Sequence, residues 1–262
     1  MPDNEIQLEG GNTSGEVVRI GSTVRKNMTK HSPTTHRLLE HLASRNFAYC
    51  PRFLGIDDKG REITSFIDGE TGTLPFIWSS DECLTETANI LRSYHDATLD
   101  FPHSTSDSWA FSYPDKLQQE VIGHTDFSPY NFIYRNDIPV AVIDFDLAGP
   151  APRLRDLAYC AYWNVPLSTH NPDMRKYALT DLDNKCRRLR LICESYGISV
   201  STELLDMVAE VLEHMGDEEK ALVMIGPDAT RNLREGGHFD HWKNECIAYK
   251  IHRDGIADVL GF

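Results

Sequence analysis

Two polar segments flank a predicted β-hairpin in the middle of this chain, and they constrain its fold more than any other feature. The first segment reads HTDFSPYN and ends at Asn131, and the second reads VAVIDFD and contains Asp144. Residues 132–134 and 140–145 are rich in β-branched and aromatic side chains, which favour strands, and residues 136–139 favour a turn. The hairpin would bring Asn131 and Asp144 to the same end of two paired strands.

The polar residues at this strand end suit the chemistry of phosphoryl transfer. Mg²⁺ prefers oxygen ligands in near-octahedral geometry, and the amide of Asn131 and the carboxylate of Asp144 supply such oxygens. Asp126 is then available to orient an acceptor hydroxyl and to take its proton. Either segment alone is better explained as a turn or a strand end. Both in this order, joined by a hairpin, favour a phosphoryl-transfer site.

The two segments, with the continuation IDFDLAGPAPRLRDLAY, resemble the aminoglycoside phosphotransferase and choline kinase-like family, which has a protein-kinase-like fold. They look close to a bacterial phosphotransferase subfamily whose members are sometimes labelled trifolitoxin immunity proteins. The resemblance covers about residues 10–167. It implies an α+β, two-lobed fold. Residues 1–72 would form a small antiparallel β lobe with one helix and the hinge, and residues 73–262 a larger, mainly helical lobe with the catalytic loop and substrate site.

The resemblance also assigns roles to the polar residues. It implies Asp126 as the catalytic residue, Asn131 and Asp144 as metal ligands, and His124 as a brace for the loop. The implied co-substrate is ATP or GTP with Mg²⁺, and the implied acceptor is a hydroxyl group of a small molecule. Substrate specificity is expected in the helices and loops after Leu167, where no motif identifies the acceptor.

Two further aspartates lie beside these motifs. Asp146 would either add negative charge beside the metal or open the turn that follows, and the sequence does not choose between these roles. Asp156 precedes an apolar helical stretch, so we expect it to cap or anchor that helix.

The first third of the chain has the pattern of the small lobe. Ser32 and Pro33 predict the start of a helix. Short strand-like runs lie on both sides of it, at residues 17–20, 23–25, 52–56 and 62–67. Apolar periodicity predicts further helices over residues 81–98, 177–196, 202–215 and 217–225.

Nucleotide contacts are expected from three places in this lobe. Gly10 and Gly11 lie in a glycine-rich segment suited to a loop that covers phosphates, although any mobile N-terminal loop has a similar composition. Residues 67–72 resemble the hinge beside which adenine binds, so Phe66 and Asp68 are candidate contacts.

The third contact is a cation on the strand around residue 24. Aligning Thr23-Val24-Arg25 with the lysine-bearing strand of the family selects Arg25 for the phosphates and leaves Lys26 as a solvated charge. A slip of one residue would exchange the two faces. The helix position of the usual glutamate partner falls at Thr35 or His36, so neither half of that ion pair is standard.

Net charge and composition limit the classes of molecule that this protein is expected to bind. The formal net charge is −14, which argues against a nucleic-acid partner and favours a neutral or cationic small substrate. From residue 201 to 262 there are thirteen acidic and six basic residues, a surplus that would attract an aminoglycoside-like polycation or would simply keep the surface soluble. Six scattered cysteines without a CxxC pair suggest reduced thiols, and the lack of a signal-like or membrane-spanning segment suggests a cytoplasmic protein without a membrane partner. Its oligomeric state is left open.

The leading hypothesis is therefore a small-molecule kinase. A second hypothesis is a non-catalytic or regulatory nucleotide-binding protein of the trifolitoxin-immunity type, which the non-standard residues, Arg25 on the strand and Thr35 or His36 on the helix, favour. A third is a hydrolase that uses Asp126 and Asp144 as a carboxylate pair, but it leaves Asn131 without a role.

Overall fold

The computed structural model describes residues 5–8, 17–167 and 181–262. Its N-terminal part is an antiparallel sheet of five strands in the order β1-β2-β3-β5-β4. One helix, α1, lies between β3 and β4 in the chain. The elements of this small lobe are β1 (Ile6–Gln7), β2 (Val17–Ile20), β3 (Thr23–Asn27), α1 (Ser32–Ser44), β4 (Phe53–Ile56) and β5 (Arg61–Ser65).

Local chemistry explains where these elements begin and turn. Gly21 adopts a positive φ of 59° in the tight β2–β3 turn. In the β4–β5 turn, one carboxylate oxygen of Asp57 accepts from the backbone N–H groups of Lys59 and Arg61. Ser32 is the first residue of α1 and Pro33 the second, so the proline occupies a first-turn position where its missing N–H costs nothing.

Seven more helices lie in the larger lobe of the described chain. The first of these helices, α2, begins after Ser80. The hydroxyl of Ser80 accepts a hydrogen bond from the N–H of Cys83 and so caps the helix. The helices are α2 (Asp81–Thr98), α3 (Arg153–Asn164), α4 (Leu182–Tyr196), α5 (Thr202–Met215), α6 (Glu218–Ile225), α7 (Pro227–Glu235) and α8 (His238–Leu260).

Two small antiparallel pairs lie between α2 and α3 in the chain and carry the polar segments. Strand β6 comes before the hairpin in the chain and pairs with β9, which comes after it. Strands β7 and β8 pair with each other to form the hairpin. Their bounds are β6 (Val121–Gly123), β7 (Phe132–Arg135), β8 (Ile138–Val142) and β9 (Gly149–Ala151). The buried core runs through this region, because Phe127, Phe132 and Val142 are each fully buried.

The α+β architecture expected from the sequence is confirmed, with an antiparallel sheet lobe and a larger helical lobe. The helices over residues 81–98 and 202–215 have the predicted bounds. Several strand boundaries differ by one or two residues: β3 is Thr23–Asn27, β4 is Phe53–Ile56 and β5 is Arg61–Ser65. A larger difference concerns the hairpin. The strand predicted to extend to residue 145 ends at Val142, because Asp144 adopts a left-handed backbone conformation with φ 64°. Of the predicted helix over 177–196, the part from Leu182 is described, and 177–180 lie outside the described residues.

Gly69 lies in the segment that joins the sheet to the helical lobe, and it is packed against the hairpin. Its φ is 149°, and a Cβ at this position would stand 2.5 Å from Ile133 Cγ2 and 2.6 Å from the carbonyl oxygen of Tyr134. The next residue, Glu70, forms an antiparallel bridge with Tyr134. The linker is therefore held against the hairpin by a contact that only glycine permits.

Among the described helices, none combines the length and apolar character that crossing a membrane requires.

Candidate active site

The loop between β6 and β7 is organised around the contact between Asp126 and Asn131. The amide nitrogen of Asn131 donates to a carboxylate oxygen of Asp126 and to its backbone carbonyl, both at 2.9 Å. Ser128 donates more weakly to the other carboxylate oxygen, at 3.4 Å. Pro129–Asn131 forms a short 3₁₀ turn that leads directly into β7. The loop thus places the proposed acid–base residue and the proposed metal ligand side by side.

Asp144 lies at the same end of the hairpin, as the sequence predicted. The N–H of Ile143 donates to the carbonyl of Asn131 at 2.8 Å, which continues the β7–β8 pairing to the residue before Asp144. Asp144 then turns into the left-handed region, a conformation that costs energy for a residue other than glycine. The structure therefore brings Asp126, Asn131 and Asp144 together.

The donor atoms of this strand end fit a hard divalent cation. The amide nitrogen of Asn131 is committed to Asp126, so its carbonyl oxygen is the atom left for a ligand. Asp144 adds a carboxylate that is about one-third exposed at 31%. An amide and a carboxylate oxygen, completed by phosphate oxygens and water, match the coordination that Mg²⁺ prefers. Elsewhere in the described chain, as here, groups of three His, Cys, Asp or Glu side chains suited to a metal are absent.

His124 braces the site, as expected. Its Nε2 donates to the carbonyl of Ile143 at 3.0 Å, and its Nδ1 accepts from the N–H of Asp126 at 3.3 Å. Because a carbonyl only accepts and a backbone N–H only donates, Nε2 acts as the donor and Nδ1 as the acceptor in these two contacts. The ring thereby connects the residue before Asp144 to the residue that carries the proposed catalytic carboxylate.

Asp156, which is fully buried, anchors the loop between β6 and β7. Its two carboxylate oxygens accept from the N–H groups of His124 at 2.6 Å and Thr125 at 2.9 Å, and His95 contacts one of them at 3.3 Å. Thr125 has a positive φ of 63°, unusual for a β-branched residue, so the loop needs such an anchor. The expected structural role of Asp156 is confirmed, but its position is inside the first turn of α3, where it anchors the loop and does not cap the helix.

The cation that faces the site is Lys26, which the sequence interpretation left as a solvated charge. Its Nζ lies 2.7 Å from Asp146 and 3.1 Å from Asp144, while Arg25 pairs with Asp57 at 3.8 Å. Neighbouring residues of a strand point to opposite faces, so only one of the two can face the aspartates. The expectation that Arg25 faces the cleft is therefore wrong in this structure, and the one-residue slip is the reason.

The electrostatics of the site follow from these neighbours. Desolvation raises the pKa of Asp126, and the charge of Asp144 adds to that rise. Desolvation also disfavours ionisation of Asp144, but the charge and hydrogen bond of Lys26 outweigh it and lower the pKa of Asp144. The pKa of Asp146 is raised by desolvation and by Asp144, against the effect of Lys26. Lys26 itself is partly desolvated, yet the surrounding carboxylates raise its pKa, so it stays charged.

The remaining predicted residues fall elsewhere. Gly10 and Gly11 lie outside the described residues. Phe66 is half-buried, donates its N–H to the carbonyl of Ser22, and carries the guanidinium of Arg19 over its ring at 3.7 Å. Asp68 is exposed, and its carbonyl accepts from Arg135 at 2.8 Å. These contacts attach the linker to the sheet and the hairpin.

Comparison with known proteins agrees with this geometry. A model of the "Phosphotransferase enzyme family" matches residues 106–175, a range that includes both polar segments. A protein of Rhizobium leguminosarum bv. trifolii, named trifolitoxin immunity protein, is 34% identical over 257 residues, which is 95% of this chain and 96% of that protein. The chain belongs to this phosphotransferase family.

Solved structures support the fold. A spectinomycin phosphotransferase, solved with ADP and spectinomycin, superposes with a TM-score of 0.60 over 95% of this chain and 93% of that chain, at 15% identity. A choline kinase from Cryptosporidium parvum superposes with a TM-score of 0.59 over 100% of this chain and 93% of that chain, at 14% identity. At such low identity these likenesses establish the kinase-like fold alone.

The anchoring role of Asp156 predicts a measurable loss of stability. Desolvation works against the charge of Asp156, but the hydrogen bond from His95 and nearby positive groups lower its pKa below the ordinary 3.8. Its ionised form therefore stabilises the fold above that value, and the contribution is lost as the pH falls through the lower folded-state pKa. Asp156→Asn should reduce the free energy of unfolding at pH 7 by about 1.5–3 kcal/mol, measured by urea denaturation.

Asp183 provides the matched control, because it is also a first-turn aspartate of a helix but is exposed. Asp183→Asn should change the free energy of unfolding by less than about 0.5 kcal/mol. Equal losses for the two variants would contradict the anchoring role of Asp156.

Proposed function

We propose that this protein transfers the terminal phosphoryl group of a magnesium nucleotide, ATP or GTP, to a hydroxyl group of a small molecule. The observation that carries the proposal is the arrangement at one strand end. There Asn131 bonds to Asp126 and adjoins the strand that leads to Asp144, and Lys26 faces them from the sheet. A hydrolase that uses two carboxylates alone would leave both Asn131 and Lys26 without a function.

In this proposal each polar residue of the site has a separate role. Asn131 and Asp144 would hold Mg²⁺, which when bound neutralises charge on the phosphate oxygens. Lys26 would bind the same phosphates as a point charge. Asp126 would orient the acceptor hydroxyl and take its proton, and the raised pKa of this carboxylate makes it a better proton acceptor.

The rest of the nucleotide would bind along the small lobe, which we propose to be residues 1–72, with the catalytic and acceptor sites in residues 73–262. We propose that Phe66 and Asp68 contact the adenine edge through backbone groups, and that Gly10 and Gly11 cover the phosphates. The acidic surplus of residues 201–262 favours a cationic acceptor, and spectinomycin, bound by one structural neighbour, is a natural first member of a test panel.

A second candidate function comes from the Rhizobium relative, whose name assigns it to immunity against trifolitoxin. A role in immunity would be compatible with the same nucleotide site. It differs from the first proposal if protection does not require transfer, so a variant that binds nucleotide but cannot transfer separates the two.

Two aspartate variants test the transfer reaction. Mg-ATP or Mg-GTP at millimolar concentration should raise the melting temperature of the wild-type protein, because a ligand of the folded state stabilises it. Asp144→Ala should remove the Mg²⁺-dependent part of the rise. Asp126→Asn should keep the rise but slow release of nucleoside diphosphate, with an amino alcohol, sugar or aminoglycoside acceptor, by about 100-fold or more.

The outcomes distinguish the candidates. Absence of any nucleotide-dependent rise in the wild type would contradict the phosphotransferase proposal. Unchanged turnover in Asp126→Asn would contradict the role of Asp126. Full toxin protection in cells by Asp126→Asn would favour an immunity function that does not depend on transfer.

The adjacent cations of β3 give a second test, matched in position and charge. Lys26→Ala should weaken Mg-nucleotide binding by about 1.5–3 kcal/mol, the value of a hydrogen bond to a charged group. Arg25→Ala should change it little, since Arg25 pairs with Asp57 on the other face. Isothermal titration calorimetry measures both affinities, and the opposite order would return the phosphate-binding role to Arg25.

A further inference from the structure

Lys26 contacts three carboxylates, and they differ in where they come from. Asp144 and Asp146 belong to the turn after β8 and lie 3.1 Å and 2.7 Å from its Nζ. Glu62 belongs to β5 in the same sheet as Lys26 and lies 3.8 Å from Nζ. Two of the partners therefore reach Lys26 from the catalytic side, and the third is built into the small lobe.

The sheet fixes Glu62 beside Lys26. In the antiparallel pairing of β3 with β5, Lys26 and Glu62 are direct cross-strand partners, so their side chains project from the same face. Arg25 is paired with Ile63 in the same register. Because the pair depends on strand pairing, it is maintained whatever the distance between the sheet and the hairpin.

Glu62 is itself held by α1. Its second carboxylate oxygen lies 2.7 Å from Nε2 of His36, and both side chains are about 90% buried, with 10% and 9% exposed. The ring of His36 stacks on Phe53 of β4, with centroids 3.9 Å apart and planes 14° apart. The carboxylate is thus fixed between a strand lysine and a helix histidine that cannot rotate freely.

We propose that Glu62 is the positioning residue that directs Lys26 toward the nucleotide phosphates, and that His36 holds Glu62 in place from α1. The inference rests on the proposed function, because it assumes that Lys26 binds phosphate. When a divalent cation binds Asp144, it competes with Lys26 for that carboxylate. Glu62 keeps Lys26 extended in the cleft after this competition, since its contact with Lys26 is a cross-strand pair within the sheet and does not depend on Asp144.

This arrangement differs from the ion pair that the family resemblance implies. In that resemblance the helix position of the glutamate partner falls at Thr35 or His36, and neither residue is a carboxylate. The structure has a histidine at position 36 and supplies the carboxylate from the neighbouring strand. The two side chains are in contact, so a carboxylate moved to position 36 enters the same cluster.

The first experiment removes the charge of Glu62 and preserves its shape. Glu62→Gln retains an amide that can still hydrogen-bond to His36, so the fold should be kept, as circular dichroism and the melting temperature without nucleotide will verify. The Kd and KM for Mg-ATP should rise about tenfold, while KM for the acceptor stays unchanged. Asp57→Asn is the matched control: it removes another small-lobe carboxylate paired with arginines and should leave nucleotide affinity unchanged.

The second experiment moves the carboxylate. In a Glu62→Gln background, His36→Glu should restore at least half of the lost nucleotide affinity, which a merely structural role for Glu62 would not produce. His36→Ala alone should raise the Kd by about two- to fivefold, because Glu62 keeps its charge but loses its fixed position.

The outcomes separate this inference from the function on which it rests. A wild-type protein that fails to bind Mg-ATP and Mg-GTP contradicts the proposed function. A wild-type protein that binds nucleotide, with a folded Glu62→Gln variant of equal affinity, overturns the role of Glu62. Lost affinity without rescue by His36→Glu overturns positioning by charge, and a His36→Ala variant equal to wild type overturns the role of His36.

Discussion

The site depends on an imbalance of charge around one ammonium group. Lys26 contacts Asp144, Asp146 and Glu62, and Asp126 lies near enough for Asp144 to raise its pKa. Carboxylates held this close in a partly desolvated cleft repel one another, and a single lysine neutralises them incompletely. The arrangement is stable enough to fold, and any added positive charge would stabilise it further by reducing the repulsion among the carboxylates. A divalent cation with phosphates is a ligand of that kind.

The protein keeps these charges in place with groups that lie behind them. Asp156 holds the loop through two backbone N–H groups, and His124 ties Asp126 to the hairpin. These buried contacts explain how Thr125 and Asp144 are maintained at positive φ, a conformation that each would avoid in a free chain. The strain is located at Asp144 and at the residue before Asp126, and the hydrogen bonds that stabilise these conformations come from the buried side chains of Asp156 and His124.

Much of the fold and part of the site could be predicted from the sequence, because their signals are local. The helices over 81–98 and 202–215 and the hairpin after Asn131 follow from periodicity and turn residues. The sequence could not predict that Lys26 faces the aspartates. Residues 23–26 are all partly buried, so β3 lacks the alternation of buried and exposed residues that would identify its two faces. The contacts of Glu62 could not be predicted either, since its partners His36 and Lys26 are distant from it in the chain.

The central claim is that nucleotide phosphates and Mg²⁺ bind between Lys26 and the end of the β7–β8 hairpin. A crystal structure with Mg²⁺ and a non-hydrolysable ATP analogue tests it most directly. The account predicts a metal bound by the amide oxygen of Asn131 and the carboxylate of Asp144, with Lys26 on a phosphate oxygen and still within salt-bridge distance of Glu62. A nucleotide bound elsewhere, or a metal held without Asn131 and Asp144, would contradict it.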